Sequence, residues 1–257
     1  MLVFYAVWIL MTRILRKYSL KEDVEGGLTY FQKSEFSSKV YIFILAFTFS
    51  LATFDWIMSI EPHWYSTIFS FRGFVSAFYL GSVITTLFVL FLHDKGYFPQ
   101  LNESHLLDFS RYIFMISIIW GYLWFSEFML IWYANLPEET FYFVKRWQGA
   151  WKTIFYLNIF INWFLPFILL MSQKMDKNKN MLKLVCFILI IGQWLNLYFL
   201  IMPGTTGIKP LFGIVEIGTF IGFAGLFLLI FIRSLGQAAI IPKNHPYLEE
   251  SLEHHVP

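Results

Sequence analysis

Charge is scarce in this chain, and so is anything that would hold a redox metal. Asp, Glu, Lys and Arg make up 14% of the 257 residues, against about a quarter in soluble domains. A single cysteine, Cys186, stands inside an apolar run. One thiol closes no internal disulfide, and without a Cys-x-x-Cys pair there are no ligands for an iron–sulfur cluster or a structural zinc. The six histidines are equally uninformative for metal. His63 and His105 fall in loops, His93 at a helix end, and His245, His254 and His255 in the C-terminal stretch. A membrane cytochrome needs histidine pairs deep in its helices, so neither haem nor any other metal centre is expected. No basic stripe suits nucleic acid. Met1 opens directly into apolar sequence with no charged leader and no small-residue cleavage site, so this stretch is not expected to be a signal peptide.

What remains is apolar. Hydrophobic residues are 58% of the chain and aromatics 21%, and the mean hydropathy is +0.60. Such a composition needs lipid as part of its solvent. Hydropathy marks seven helical segments, roughly 1–17, 39–60, 73–93, 109–134, 152–172, 181–202 and 213–235. The last six approach the roughly 20 apolar residues that a membrane crossing needs. The first is too short and reads as the end of a spanning helix whose beginning is missing. The expected fold is therefore an all-α polytopic transmembrane bundle over residues 1–236, followed by a polar tail, 237–257. Gly26-Gly27 signals a turn in the polar stretch between the first two segments. Pro166 is expected to kink the fifth segment and free a carbonyl.

Fourteen of the 19 Lys and Arg residues lie on the face reached after segments one, three, five and seven (side A). The remaining five, Arg72, Lys145, Arg146, Lys152 and Lys209, lie on the opposite face (side B). The positive-inside rule makes side A and the C-terminal tail cytoplasmic. Trp56, Trp64, Tyr65, Trp132, Tyr133, Trp147 and Trp151 gather toward side B as an interfacial belt.

Three carboxylates fall within the spans near side B: Asp55, Glu127 and Glu216. Placing an acid in hydrocarbon costs about 3 kcal/mol even on a lenient scale, so such groups face a bundle interior or a wet cavity. They are candidates for a proton path, with Ser50 and Thr53 climbing toward Asp55, and with His93 and Asp94 as a side-A entry. Helix capping and snorkelling are the plain alternatives for Asp55 and Glu216, and a solvated ion-pair rim for His93 and Asp94. Trp120, Trp124 and Glu127 share one helix face by spacing. An aromatic wall with one carboxylate suits a quinone ring, and ordinary helix packing explains the same stripe. Asn158, Asn162, Gln193 and Asn196 punctuate two other spans, either to bond helices together or to meet a ligand carbonyl. The side-B loops carry Glu61, His63, Trp64, Glu138, Glu139 and Arg146, with turns at Pro62 and Pro137. They suit docking of an extramembrane partner, or simple anchoring.

The run FDWIMSIEPHWYSTIF (54–69), the run YLWFSEFMLIWYANLPEET (122–140), the segment Arg146–Gly149 and the tail HPYLEESLEHH (245–255) resemble the polysulfide-reductase-like membrane subunits of alternative complex III, a bacterial quinol-oxidising complex. They are most similar to the second of its two homologous quinone-type subunits. The resemblance covers nearly the whole chain and implies a ten-helix fold with both termini cytoplasmic, of which these segments correspond to the fourth through tenth. It implies a bacterial cytoplasmic membrane, a homologous sister membrane subunit, iron–sulfur and multihaem cytochrome c partners, and an oxidase downstream. It also implies menaquinone or ubiquinone as the mobile cofactor, bound lipid, no metal held by this chain, and proton half-channels to which Asp55 and Glu127 belong. Two rival classes are a proton-coupled secondary transporter and a ligand-free scaffold.

Overall fold

The structure, a computed structural model, describes residues 2–171, 178–207 and 210–254. Lys174, Lys177 and Lys209 from the charge count, Ser172 at the end of the fifth segment, and His255 lie outside the described residues. Among the described residues there is no strand. The helices are α1 (Leu2–Glu25), α2 (Thr29–Trp56), α3 (Thr67–Asp94), α4 (Glu103–Ala134), α5 (Pro137–Arg146), α6 (Trp151–Ile159), α7 (Leu165–Leu170), α8 (Lys179–Thr206), α9 (Ile214–Leu235) and α10 (Leu248–Leu252). A 3₁₀ turn occupies Met58–Ile60, and a π turn, Phe160–Phe164, joins α6 to α7. Six of these helical stretches are long and apolar enough to cross a membrane: α2 with its 3₁₀ extension, α3, α4, α6 through α7, α8 and α9. The protein is an all-α multi-pass membrane bundle. The expected first segment, 1–17, runs on to Glu25 and is not among the six.

The helix ends follow from local chemistry. Gly26 and Gly27 both take positive φ, which lets α1 turn sharply into α2. Asn102 Oδ1 accepts from the backbone N–H of Ser104 and His105 at 2.9 and 3.1 Å and so caps α4, placing His105 in a first helical turn. Asn178 caps α8 in the same way. Asn135 in the left-handed conformation ends α4, and Pro137 then starts α5. α5 carries Glu138 and Glu139 in its first turn and Lys145 and Arg146 in its last, the order that a helix dipole favours.

The chain divides into two compact units. One comprises residues 1–48 with 211–254. Its helices are joined by long-range polar contacts: Trp8 Nε1 donates to Thr48 Oγ1 at 2.8 Å, and Arg16 to Gln237 Oε1 at 2.8 Å. The polar tail folds back onto the α1–α2 turn. Lys243 N donates to Asp23 Oδ1 at 2.8 Å, Asn244 donates to the Asp23 carbonyl at 3.0 Å, and His245 and Tyr247 meet Phe31 edge-on.

The other unit comprises the described residues of 49–210. Its core is four helical stretches, α3, α4, α6–α7 and α8, with α5 packed across their side-B end and the last turns of α2 alongside. Buried positions recur at helical spacing on each: Phe69, Arg72, Ser76, Tyr79 and Val83 on α3; Ile113, Ile116, Trp120, Trp124, Glu127 and Ile131 on α4; Leu182, Val185, Leu189, Gly192, Asn196 and Phe199 on α8. Small residues set the closest crossings. A Cβ on Gly121 would sit 2.7 Å from the Trp163 ring, and one on Gly192 would sit 2.5 Å from Ile161 Cγ2. Both contacts are to the π turn, so α4 and α8 are each notched to receive it.

Candidate functional site

The buried charged and amide side chains of this second unit fall into two layers. The first lies at side B. Arg72 on α3 and Glu127 on α4 make an ion pair, Nη1 donating to Oε2, with the side chains 2% and 1% exposed. At 1.5 Å per residue the pair sits about 8–10 Å inside the helix ends. Arg72 was expected among the side-B loop cations, because hydropathy starts the third segment after it. The helix in fact begins at Thr67 and carries Arg72 into the bundle. Arg72 Nε and Glu127 Oε1 have no hydrogen-bond partner among the described residues.

Beside this pair lies a second one. Arg146, fully buried on α5, donates to Glu61 Oε1 at 3.3 Å, to the Tyr142 carbonyl at 3.2 Å and to the Leu200 carbonyl at 2.9 Å. Lys145 also donates to Glu61 Oε1, at 3.2 Å. The Arg146 guanidinium lies 3.5 Å from the centre of the Tyr142 ring, and Trp64 stacks on that ring at 3.7 Å. Burial pushes the Tyr142 phenol upward and the Arg146 guanidinium downward, with Glu61 opposing the second shift. Tyr142 Oη, Trp64 Nε1 and Arg146 Nε lack partners among the described residues. The layer therefore holds two Arg–Glu pairs and a Trp–Tyr–Arg stack with several unspent donors.

The second layer is made of amides. Pro166 cannot donate to the carbonyl four residues earlier, and that carbonyl, Asn162 O, accepts instead from Tyr79 Oη at 3.2 Å. The expected freed carbonyl is thus present, and the backbone accommodates it through the π turn. Asn162 Nδ2 lies within bonding distance of the Asn158 and Gly192 carbonyls, and Asn162 Oδ1 accepts from Gln193 at 2.9 Å. Asn158 donates to Asn196 Oδ1 at 3.3 Å. Ser76 Oγ closes the set, accepting from Trp120 Nε1 at 2.9 Å and Asn196 Nδ2 at 3.2 Å. Of the two readings open for these amides, the geometry is that of helix-to-helix bonding among α3, α4, α6 and α8.

Between the layers a cavity of about 160 Å³ opens between α2, α3 and α8. Its wall is mostly carbon, from Phe49, Ile57, Phe69, Leu80 and Leu197, with Thr53, Ser76 and Gln193 as its polar members. Thr53 spends its proton on the Phe49 carbonyl. Among the described residues no three His, Cys, Asp or Glu side chains group as metal ligands. Of the predicted site residues, the structure brings Glu61, Trp64, Glu127 and Arg146 together. Trp120 and Trp124 share the face of Glu127 as expected, but neither borders the cavity. Trp120 is bonded to Ser76, and Trp124 packs on Phe128 and Phe155.

The rest lie apart from this site. Glu61, Trp64 and Arg146, expected in docking loops, are buried within the chain, the first two against α5 and Arg146 on its inner face. His63 and Glu138 are exposed, and Glu139 is half-buried. Asp55 is exposed and makes no side-chain hydrogen bond or ion pair among the described residues. Ser50 is half-buried. Glu216 accepts from Gly213 N at 2.9 Å and caps α9. At side A, His93 Nδ1 bonds the Phe98 carbonyl at 2.7 Å, and Asp94 pairs with Lys179 and Lys183. Arg72 and Tyr142 were missed as site residues. A charged residue six positions inside a strong aromatic run, Thr67 to Tyr79, was the available signal for the first. Compared with known proteins, the chain matches no family model and no curated protein sequence.

Proposed function

We propose that this protein is a membrane subunit of a respiratory quinol:acceptor oxidoreductase of the alternative complex III type, inactive as an enzyme on its own. One observation carries the reading. Segments chosen for their resemblance, and distant in sequence, supply Glu61, Trp64, Glu127 and Arg146 to a single buried cluster. A pair such as Arg72–Glu127 is expensive to hold in a bundle, and intramembrane ionisable groups mark proton or substrate pathways by default. In this reading Glu127 handles the proton released as quinol is oxidised nearby. Arg72 is its counter-ion, and the Glu61–Arg146 pair leads toward side B.

The rest follows from the resemblance. The quinone is menaquinone or ubiquinone. The partners are a sister membrane subunit, iron–sulfur and multihaem cytochrome c subunits, and an oxidase. The membrane is the bacterial cytoplasmic membrane, with side A and the tail inside. Purification of the tagged protein from its own membranes is expected to bring haem- and cluster-bearing subunits with it. In that assembly Glu127→Gln lowers quinol oxidation and proton release together. A solitary monomer on gentle extraction refutes the assignment.

A proton-coupled transporter is the second reading, favoured by the π turn, which interrupts the α6–α7 span. Proton-driven solute uptake by the protein alone in liposomes would select it.

A further inference from the structure

The ten residues of α5 close the side-B end of the second unit, and they are held differently from the helices beneath. A left-handed residue stands on either side of the helix. One is Asn135 (φ 48°), the one non-glycine with positive φ among the described residues, and the other is Gly149 (φ 54°). The chain changes direction at both, as hinge positions do. Tyr142, Phe143 and Arg146 form the buried face of α5, and Glu138 and Val144 are exposed.

The polar attachment of α5 to its neighbours has few parts. Arg146 donates to Glu61 Oε1 and to the Leu200 carbonyl, and Lys145 donates to the same Glu61 oxygen. α8 makes room for that carboxylate with a glycine. A Cβ on Gly204 would lie 3.3 Å from Glu61 Oε1 and 2.7 Å from Ile60 Cγ2. From this latch a line of stacked groups runs inward. The Arg146 guanidinium covers Tyr142, and Tyr142 stacks on Trp64. Trp64 meets Phe69 edge-on at 5.5 Å, and Arg72 lies over Phe69 at 5.5 Å. Arg72 is the counter-ion of Glu127, and Phe143 packs on Phe128, the residue after Glu127. The latch and the ion pair are therefore in continuous contact.

Under α5 several donors are unmet. Tyr142 Oη, Trp64 Nε1 and Arg146 Nε are buried with no partner among the described residues. No side-chain atom of the amide layer is buried in that state among the described residues. A buried donor without an acceptor is a standing cost that water removes. Lifting α5 breaks the latch and hydrates three donors, so the loss and the gain offset each other. Local opening is drawn from segments with such a balance.

We propose that α5 is a hinged lid, latched to Glu61 by Arg146 and Lys145, whose opening admits water from side B to the buried Arg72–Glu127 pair while the bundle beneath stays folded. The inference goes beyond both functional readings above and depends on neither, since proton release and solute uptake each need a wet path to the pair.

The test is hydrogen–deuterium exchange of the full-length protein in lipid–detergent micelles, read by mass spectrometry. Peptides over 137–147 are expected to exchange at least about tenfold faster than those over 113–131 of α4 and 182–200 of α8. Two variants outside α5 loosen the latch. Glu61→Gln keeps its shape and removes its charge, and Gly204→Ala displaces the carboxylate and Ile60. Each is expected to speed α5 about tenfold more, the worth of roughly one hydrogen bond, with α4 and α8 unchanged. Ile131 is buried one turn toward side B from Glu127 on the same face of α4 and reports on access. The Ile131→Cys thiol is expected to react with a charged maleimide about tenfold faster in either latch variant. Cys186 is fully buried, so the chain without Ile131→Cys supplies the background.

Exchange of α5 no faster than the α4 and α8 core would overturn the proposal. So would latch variants that leave α5 exchange unchanged, or faster α5 exchange with no gain at the Ile131→Cys thiol. If one latch variant fails to fold, the other and the wild-type comparison decide. Neither readout uses quinol or a redox partner, so failure of the respiratory assignment leaves this inference standing.

Discussion

Replacing Glu127 by glutamine isolates the charge of the buried pair, because the shape and one acceptor oxygen are kept. Arg72 then stays as a cation at 2% exposure with no carboxylate against it. The nearest alternative, Glu61, is already shared by Lys145 and Arg146. At an effective dielectric near 20 and about 4 Å, the lost attraction is about 4 kcal/mol. Removal of one partner from a buried pair typically costs about 3–5 kcal/mol. The amide still accepts a hydrogen bond, so about 3 kcal/mol is expected. The measurement is a double-mutant cycle in lipid–detergent micelles, with unfolding free energies for wild type, Glu127→Gln, Arg72→Met and both together. The double variant is expected to be more stable than the sum of the single losses implies, by about 2 kcal/mol or more. Additive losses, or a cost for Glu127→Gln under about 1 kcal/mol as for a solvated pair, would sink the reasoning.

Other expectations follow from the two layers. Tyr79→Phe leaves the Asn162 carbonyl without its donor and is expected to cost about 1–2 kcal/mol in the same unfolding assay. In that background Pro166→Ala should recover part of the loss, since it returns an N–H to that carbonyl. Gly192→Ala drives a methyl into Ile161 and Asn162 Oδ1, at 2.5 and 2.7 Å, and is expected to cost about 1–3 kcal/mol, read as a lower midpoint of unfolding. Asp94→Asn at the opposite end should leave the unfolding midpoint close to that of the wild type, because its pairs with Lys179 and Lys183 are open to solvent.

Helices that cross the membrane were legible because twenty apolar residues in a row have few alternatives. Their ends were less so. Hydropathy stops at a charge, whereas the backbone continues as long as its hydrogen bonds are met. That difference hid Arg72, assigned to a loop when its helix starts five residues earlier at Thr67. α5 was invisible for the converse reason: a ten-residue helix with charges at both ends has no apolar run to announce it. Its folding over side B turns Glu61, Trp64 and Arg146 from apparent surface groups into interior ones. Glu127 was found because a lone acid in an aromatic run is costly wherever it points. The cavity was not, since its walls come from helices whose sequence order says nothing about which faces leave a gap. Pro166 gave its consequence in advance, a carbonyl without a donor, while the identity of the new donor, Tyr79, needed three dimensions.

The first unit is assembled from segments far apart in the chain. The bonds between its two segments join residues 218 to 222 positions apart, from Arg16 with Ser234 to Glu22 with Asn244. A ribosome delivering this chain has made α1 and α2 long before their partners exist. Their polar turn stays unattended while the later helices are made. Until residues 234–244 have been made, Arg16, Glu22 and Asp23 lack the partners those residues supply.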